Sequence, residues 1–314
     1  MSKYALHLGD TLSQISQTFN TTAQGKIAKN NTKNPNSIMT GTFFVANDNL
    51  SNTDTIKING KIEDTKQSKT NDCWLLSGVN ALRETDWGRQ IISEAILKTT
   101  DGNVEVNLKG ANKKIKVTKN EIIEAKKTGL YAQGDDDMIA LEIAVNKHKN
   151  DIKPQSKEER ERNGLAINYG EGEEVMYLLT GRKSSVKSLD PQRVKKDRVK
   201  TSSLDVENTL ERKLKDNDSI AITCGFAGFK NKIEIDGILL SPGHAYSIKR
   251  IEKDTSGKTW VILIDPNNSA KELKVSQDKF VEKLDKLDAL ESPNEAPLKE
   301  KELKFNFKNL KNLN

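Results

Sequence analysis

The sequence predicts an α+β fold, with a small N-terminal module followed by a main domain that is first helical and then β-rich. The chain has 314 residues, which exceeds the usual size of one compact domain. From residue 73 to about 148 the apolar residues recur mainly at helical spacing, whereas several segments beyond about 166 are β-rich. Runs of helix followed by runs of strand are typical of α+β folds.

The amino-acid composition and the net charge restrict the classes of protein to which the sequence can belong. Hydrophobic residues make up 34% of the chain and charged residues 31%, and the apolar residues are clustered, which indicates a folded core. The net charge is +6, but no basic stripe is interleaved with aromatic residues, so we expect no nucleic-acid partner. We also expect no membrane span and no ordinary signal peptide. The protein would then be cytoplasmic, or exported to the cell wall or the extracellular space by a signal-independent route.

Residues 1–48 form the predicted N-terminal module. Short strands are expected at 4–7 and 42–45, with a helix beginning near Thr11 and a second short helix around Ile27. This β-α-α-β pattern resembles a LysM domain over that family's whole length. The residues that carry the resemblance are Tyr4, Gly9, Asp10, Thr11, Leu12, Ile15, Asn30, Asn31, Asn34, Pro35 and the Ile38 to Gly41 turn.

The LysM resemblance implies a shallow groove that binds N-acetylglucosamine polymers such as peptidoglycan or chitin. By position, the groove would be lined by Gly9, Asp10, Thr11, Leu12, Asn34, Pro35, Asn36 and Ile38. The alternative is that residues such as Gly9 and Pro35 only form turns.

The remaining sequence divides into four segments by composition and pattern. They are a polar linker (49–66) with one short strand at 55–58, a helical part (67–165), a β-rich part (166–290) and a polar tail (291–314). Within the main domain we expect helices at 74–82, 87–97 and 138–145, a hairpin of 104–108 with 114–117, and strands at 219–224, 245–251 and 260–264.

Cys73 is the candidate nucleophile. It begins the first predicted helix of the main domain, and Asn71 and Asp72 before it can cap that helix, so the positive end of the helix dipole would point at the sulfur. A helix N-terminus and a neighbouring imidazolium are the features that favour a reactive thiolate. The only other cysteine is Cys224, and a disulfide between the two stays open. The alternative for Cys73 is a buried structural thiol.

His244 is the candidate base among the three histidines of the chain. His7 lies in the predicted first strand, and His148 lies in a charged run and is expected on the solvated surface. His244 stands in a turn that opens into an alternating strand, which places its imidazole at the edge of a sheet. The next strand ends at Asp265, a candidate acceptor for the second ring nitrogen. Asp265 also fits a purely turn-forming role, and Asn267 is the next candidate acceptor.

At these residues the sequence resembles the calpain family. The segment from Gln67 through Asp72-Cys73-Trp74-Leu75-Leu76 is similar to the calpain active-site segment, and the run from Gly243 to Ser247 is similar to its histidine motif. Weaker similarities occur in the same order at 140–144, 169–172, 178–181 and 277–284, so the resemblance spans about residues 60–290.

The resemblance implies a two-lobed papain-like core that cleaves peptide bonds in protein substrates through a thioester acyl-enzyme. Cys73 would attack, His244 would transfer the proton, and Gln67 would donate to the oxyanion. Asp265 stands where the family has asparagine, and the family's shielding tryptophan is missing. No cofactor is required by this chemistry. Calcium is possible from the resemblance alone, but its ligands are not identifiable in the sequence, and residues 135–137, three aspartates, are read as a solvated loop or helix cap.

Two other functions remain open at this stage. One is a peptidoglycan peptidase or amidase, because LysM modules often accompany cysteine enzymes that cut murein. The other is a glycan-binding protein whose peptidase core has lost its activity, which the change to Asp265 favours.

Overall fold

The computed structural model describes residues 2–5, 43–46, 55–188, 199–200, 202–226 and 232–293. The chain forms two compact units, Met1–Ile56 and Lys57–Asn314. Of the described residues, 40% are helical and 29% lie in strands, which confirms the predicted mixture of helix and strand. None of the described helices is long and apolar enough to cross a lipid bilayer.

In the first unit, the described part consists of two strands. Strands β1 (Ser2–Ala5) and β2 (Phe43–Ala46) pair antiparallel, close to the positions expected from sequence. The helices and turns predicted between them lie outside the described residues.

The helical region, residues 73–180, begins at the candidate nucleophile. Its helices are α1 (Cys73–Arg83), α2 (Asp86–Ala95), α3 (Lys119–Thr128), α4 (Asp136–Ile152), α5 (Lys157–Asn163) and α6 (Gly172–Thr180). Helix α1 is buried from Trp74 to Leu82 and packs against α6, as expected for a helix that is apolar on nearly every face.

A small antiparallel sheet lies among these helices. Its strands are β3 (Ile96–Lys98), β4 (Val104–Leu108) and β5 (Lys113–Val117), and the last two form the predicted hairpin. The helix predicted at 87–97 ends earlier, at Ala95. Ile96 is buried and pairs with Val106, so the last residues of the predicted helix belong to strand β3 instead.

The sheet region, residues 185–291, is built on a seven-stranded sheet. In chain order its elements are β6 (Ser185–Ser188), β7 (Val199–Lys200), α7 (Ser203–Lys215), β8 (Ile220–Phe226), the hairpin strands β9 (Ile233–Ile235) and β10 (Ile238–Leu240), then β11 (Ala245–Lys253), β12 (Thr259–Asp265), β13 (Asn268–Ser276), α8 (Gln277–Lys283) and β14 (Leu284–Glu291). The strand order of the large sheet is β13-β12-β11-β8-β14-β6-β7, antiparallel except between β6 and β7.

The two faces of this sheet have different partners. One face carries an apolar cluster with α7 and α8, in which the ring of Phe226 meets those of Tyr246 and Phe280 edge to face at 5.7 Å. Thr223 points to the other face, because a Cβ on Gly172 of α6 would lie 2.5 Å from its hydroxyl. Helix α1 packs against β8 and β11. The helical region and the sheet region therefore meet near Cys73, which begins α1, and His244, which precedes β11.

The strand predicted at 55–58 is wrong. Residues 55–58 form no strand in the structure, and carboxylates at the start of α4 accept the hydrogen bonds of backbone N–H groups between residues 57 and 60. The N–H of Lys57 donates to Asp136 at 2.7 Å, and those of Asn59 and Gly60 donate to Asp137 at 3.1 and 2.9 Å.

Candidate active site

Cys73 is a free, half-buried thiol at the first position of α1. The carbonyl of Asp72 accepts from the backbone N–H groups of Leu75 and Leu76 at 2.8 and 3.1 Å, which starts the helix. That carbonyl is the first acceptor of the helix, so the N–H groups of Cys73 and Trp74 have no acceptor within it. They point toward the region of the sulfur, together with the positive end of the helix dipole.

His244 lies at the start of β11 and is held by the end of the next strand. Ser247 pairs with Ile264, so the turn before β11 and the end of β12 share one edge of the sheet. His244 Nε2 is 2.8 Å from Asp265 Oδ1, and the side chains are 12% and 25% exposed. The amide of Asn267 is 3.3 Å from the same nitrogen. The Asn267 atom at that distance is the side-chain nitrogen, which is a donor, so the carboxylate of Asp265 is the acceptor that orients the protonated Nε2.

The imidazole and its acceptor form an ion pair. Burial lowers the pKa of His244, but the interactions with Asp265 and Cys73 raise it by a larger amount, so that it reaches about 9. Burial raises the pKa of Asp265, yet the hydrogen bonds from His244 and from the backbone of Asn267 hold it below its usual value. The ring is therefore an imidazolium at neutral pH. With Nε2 committed to Asp265, Nδ1 is the nitrogen left for the Cys73 sulfur.

Gln67 lies between the cysteine segment and the loop that follows Asp265. Its backbone N–H donates to the carbonyl of Pro266 at 2.8 Å, and its side-chain Nε2 donates to the carbonyl of Thr70 at 2.8 Å. An amide nitrogen has two protons. One is used to hold the side chain against the turn before Cys73, and the same side chain also interacts with the carboxyl of Asp72, the residue before the nucleophile.

A buried pair of carboxyl groups lies behind the start of α1. The side chains of Asp72 and Glu142 face each other and are 1% and 0% exposed. Burial raises the pKa of Asp72 to about 6, and burial together with Asp72 raises that of Glu142 well above its usual value. Two such groups hold one proton between them. Both oxygens of Glu142 accept from the N–H of Ala132, at 3.1 and 3.0 Å.

Sequence reasoning missed this pair. It expected Asp72 to cap α1, but the side chain makes no capping hydrogen bond because it turns inward toward Glu142. A signal was present: Glu142 interrupts the apolar run from Met138 to Val145, where a charged residue needs a partner.

Three further expectations need correction or completion. His148 is buried, 7% exposed, and not on the solvated surface, because its position on α4 faces inward; burial lowers its pKa. Cys73 and Cys224 form no disulfide, since both are free, and Cys224 lies in the apolar cluster on the far face of the large sheet. Burial raises the pKa of the Cys224 thiol, which leaves it protonated and inert.

The three consecutive aspartates at the start of α4 are structural. Asp135 caps the helix by accepting from the N–H of Met138 at 3.0 Å, and a helix cap is one of the two roles predicted from the sequence. Asp136 and Asp137 are buried, not solvated, because they accept from the backbone of residues 57–60. No cluster of histidine, cysteine and acidic side chains able to hold a metal ion occurs among the described residues.

The structure thus brings Cys73, His244, Asp265 and Gln67 together at one edge where the two regions meet. The residues predicted to bind glycan, from Gly9 to Leu12 and from Asn34 to Ile38, lie outside the described residues. Comparison of the sequence with protein-family models and with curated proteins gave no match.

Proposed function

We propose that the protein is a cysteine endopeptidase with a two-lobed papain-like core that resembles the calpains. The observation that carries the proposal is a half-buried cysteine at a helix N-terminus beside an imidazole that is paired to a carboxylate. Proximity of a thiol to a protonated imidazole provides both a nucleophile and an acid for the leaving group.

In the proposed reaction, the Cys73 sulfur attacks the carbonyl carbon of a peptide bond, and the carbonyl π electrons move onto oxygen. The oxyanion is stabilised by the backbone N–H of Cys73 and the second Nε2 proton of Gln67. As the C–N bond breaks, His244 gives its Nδ1 proton to the departing amine, which leaves a thioester on Cys73. Water then attacks the thioester, His244 takes a proton from that water, and the S–C bond breaks to release the acid product.

Asp265 has a positioning role in this reaction. It fixes the ring so that Nδ1 faces the sulfur, and its charge stabilises the imidazolium. An aspartate at this position is chemically competent, which argues against a core that has lost its activity.

The N-terminal unit would localise the enzyme. We propose that it is a LysM domain that binds peptidoglycan or a chitin-type glycan through the residues named from the sequence. The paired strands β1 and β2 are compatible with that module. Sedimentation of the protein with purified peptidoglycan and with chitin, compared with cellulose, tests this part independently of proteolysis.

The test of the main proposal is the hydrolysis of casein under reducing conditions. We expect Cys73→Ala to lower the rate at least ~10⁴-fold, whereas Cys224→Ala, which removes the buried thiol on the other face of the sheet, should retain most of the activity. Equal inertness of the wild type and Cys73→Ala would overturn the proposal. Release of soluble muropeptides from cell wall, with casein untouched, would favour a peptidoglycan peptidase or amidase instead.

A further inference from the structure

A short segment of the helical region lies beside Cys73. The N–H of Tyr169 donates to the carbonyl of Asn71 at 3.0 Å, and the N–H of Asn71 donates to Asn168 Oδ1 at 2.9 Å. Gly170 lies on the ring of Trp74, since a Cβ there would be 2.4 Å from the ring. Tyr169 adopts φ 70°, a conformation that costs free energy for a residue other than glycine. Glu171 follows Gly170, so these contacts with Asn71 and Trp74, on either side of Cys73 in the chain, hold the segment that leads into Glu171.

A row of small residues in the sheet region lies beside His244. Ala245 follows His244 in the chain and pairs with Gly225 of β8, and Gly225 pairs in turn with Lys286 of β14. The nearest atom to a Cβ built at Gly225 would be the carbonyl oxygen of His244, at 3.7 Å. No side chain therefore rises from the sheet at Gly225, and only the short side chain of Ala245 lies next to it. These two residues connect His244 with Lys286 across the sheet.

Lys286 joins the two sides through an ion cluster, which we define as Glu171, Glu173, Lys286 and Asp288. Lys286 Nζ is 2.7 Å from Glu171, 3.0 Å from Asp288 and 3.3 Å from Glu173. Its hydrogen bond goes to Glu171 Oε2, and the carboxyl groups of Glu173 and Asp288 complete the cluster at ion-pair distance. The side chain of Lys286 is 12% exposed, whereas that of Glu171 is 51% exposed.

The charge of the ion cluster is negative at neutral pH. Burial, together with Glu173, raises the pKa of Asp288 to about 8 although Lys286 lowers it. Asp288 therefore keeps its proton at neutral pH, and the cluster has the acidic side chains of Glu171 and Glu173 against one ammonium group. The side chain of Glu171 is the most exposed of the four, so it is the acidic group that an approaching molecule meets first.

We propose that the ion cluster is a specificity site, in which Glu171 selects substrates with a lysine or arginine side chain close to the scissile peptide bond. A carboxylate has enough lone pairs to accept from a second cation while it remains paired to Lys286. A substrate aspartate or glutamate would meet the carboxylate of Glu171, and Lys286 already lies among three acidic side chains. This inference rests on the proposed peptidase activity and names the substrate class for it.

The experiment uses matched fluorogenic peptides with lysine, leucine or glutamate placed in turn at each of the three positions on either side of one cleavable bond. We expect one position at which the wild-type kcat/KM ranks lysine above leucine and leucine above glutamate, with lysine and glutamate differing by about tenfold. Glu171→Gln should reduce that ratio about fivefold and Glu171→Lys should reverse it. The preference should also weaken at high salt.

The control is Glu211→Gln, which removes a surface carboxylate paired to Lys215 on α7 and should leave the ranking unchanged. Thermal unfolding of each variant shows whether it is folded. If the leucine peptide is cleaved in a Cys73-dependent manner, but lysine gives no gain or Glu171→Gln slows all peptides equally, the specificity site is refuted and the peptidase stands. If no peptide is cleaved by the wild type, the proposed function itself fails.

Discussion

Two aspartates flank the candidate active site, and their pKa values are shifted in opposite directions. Asp265 contacts His244, and its pKa lies below the usual value. Asp72 immediately precedes Cys73, and its pKa is raised to about 6. The residue type is the same in both places, so the difference comes from the surroundings. Asp265 faces a cation at 2.8 Å, whereas burial raises the pKa of Asp72 and the interaction with Glu142 offsets only part of that rise.

The comparison shows where the protein places negative charge. A carboxylate beside His244 stabilises the imidazolium and so supports the proton transfer. A full second charge behind the start of α1 would oppose a thiolate and an oxyanion at the same helix end, since like charges at short distance in a buried site interact strongly. Because Asp72 and Glu142 share one proton, the pair carries one negative charge near the nucleophile and not two.

The largest effect among variants of this comparison is expected at Asp265. Asp265→Ala leaves the ring without its acceptor and should lower kcat/KM by about 10²- to 10³-fold. Asp265→Asn keeps a carbonyl acceptor for His244 Nε2 and should stay within about tenfold of the wild type. A serious loss in both variants would mean that charge matters more than orientation. Equal activity of all three proteins would remove Asp265 from the site.

The same pair of proteins gives a pH prediction. Asp265 stabilises the protonated ring, so the wild type should lose activity as pH rises through about 9, the pKa of His244. Asp265→Asn removes the negative charge, which lowers the pKa of the ring, and the alkaline limb of its kcat/KM profile should move to lower pH by about one unit. An unmoved limb would assign that ionisation to another group.

A smaller effect is expected at Gln67, on the nucleophile's side. Gln67→Ala should lower kcat about 10²-fold with little change in KM, because the amide donates to an oxyanion that exists only after attack. The rate of Cys73 alkylation by iodoacetamide should be unchanged, since that reaction forms no oxyanion. His244→Ala should slow both reactions. Slower alkylation in Gln67→Ala would show that the amide acts on the thiol and not on the transition state.

The sequence predicted the local features of the site well. The helix after Asp72, the turn before the strand of His244 and the position of Asp265 at the end of the next strand follow from periodicity and turn residues alone. Such patterns involve neighbours a few positions apart, which a single sequence displays directly.

The features that sequence reasoning missed are pairings between distant residues. Asp72 meets Glu142, and Glu171 meets Lys286, only because the helices and strands bring them together. A charged residue in an apolar run, such as Glu142, shows that a partner is needed but not which one. The wrong strand at 55–58 has the same origin, because the partners of its backbone are side chains of α4.

The smallest effect, and the sharpest test of the shared proton, is the pH dependence of stability in Glu142→Gln. The raised pKa values of Asp72 and Glu142 mean that the folded protein keeps a proton which the unfolded chain releases above about pH 4. Stability from this pair is therefore complete below that pH and is lost as pH rises through about 6.

Glutamine cannot ionise, and its amide can donate to Asp72 while its oxygen accepts from Ala132. We expect Glu142→Gln to unfold like the wild type near pH 4 and to be more stable by about 1 to 3 kcal/mol at pH 8. Urea unfolding at both pH values measures this, with the exposed Glu94→Gln as control. A stability difference that does not change with pH would show that the two carboxyl groups titrate separately, and the contrast between the two aspartates would then rest on Asp265 alone.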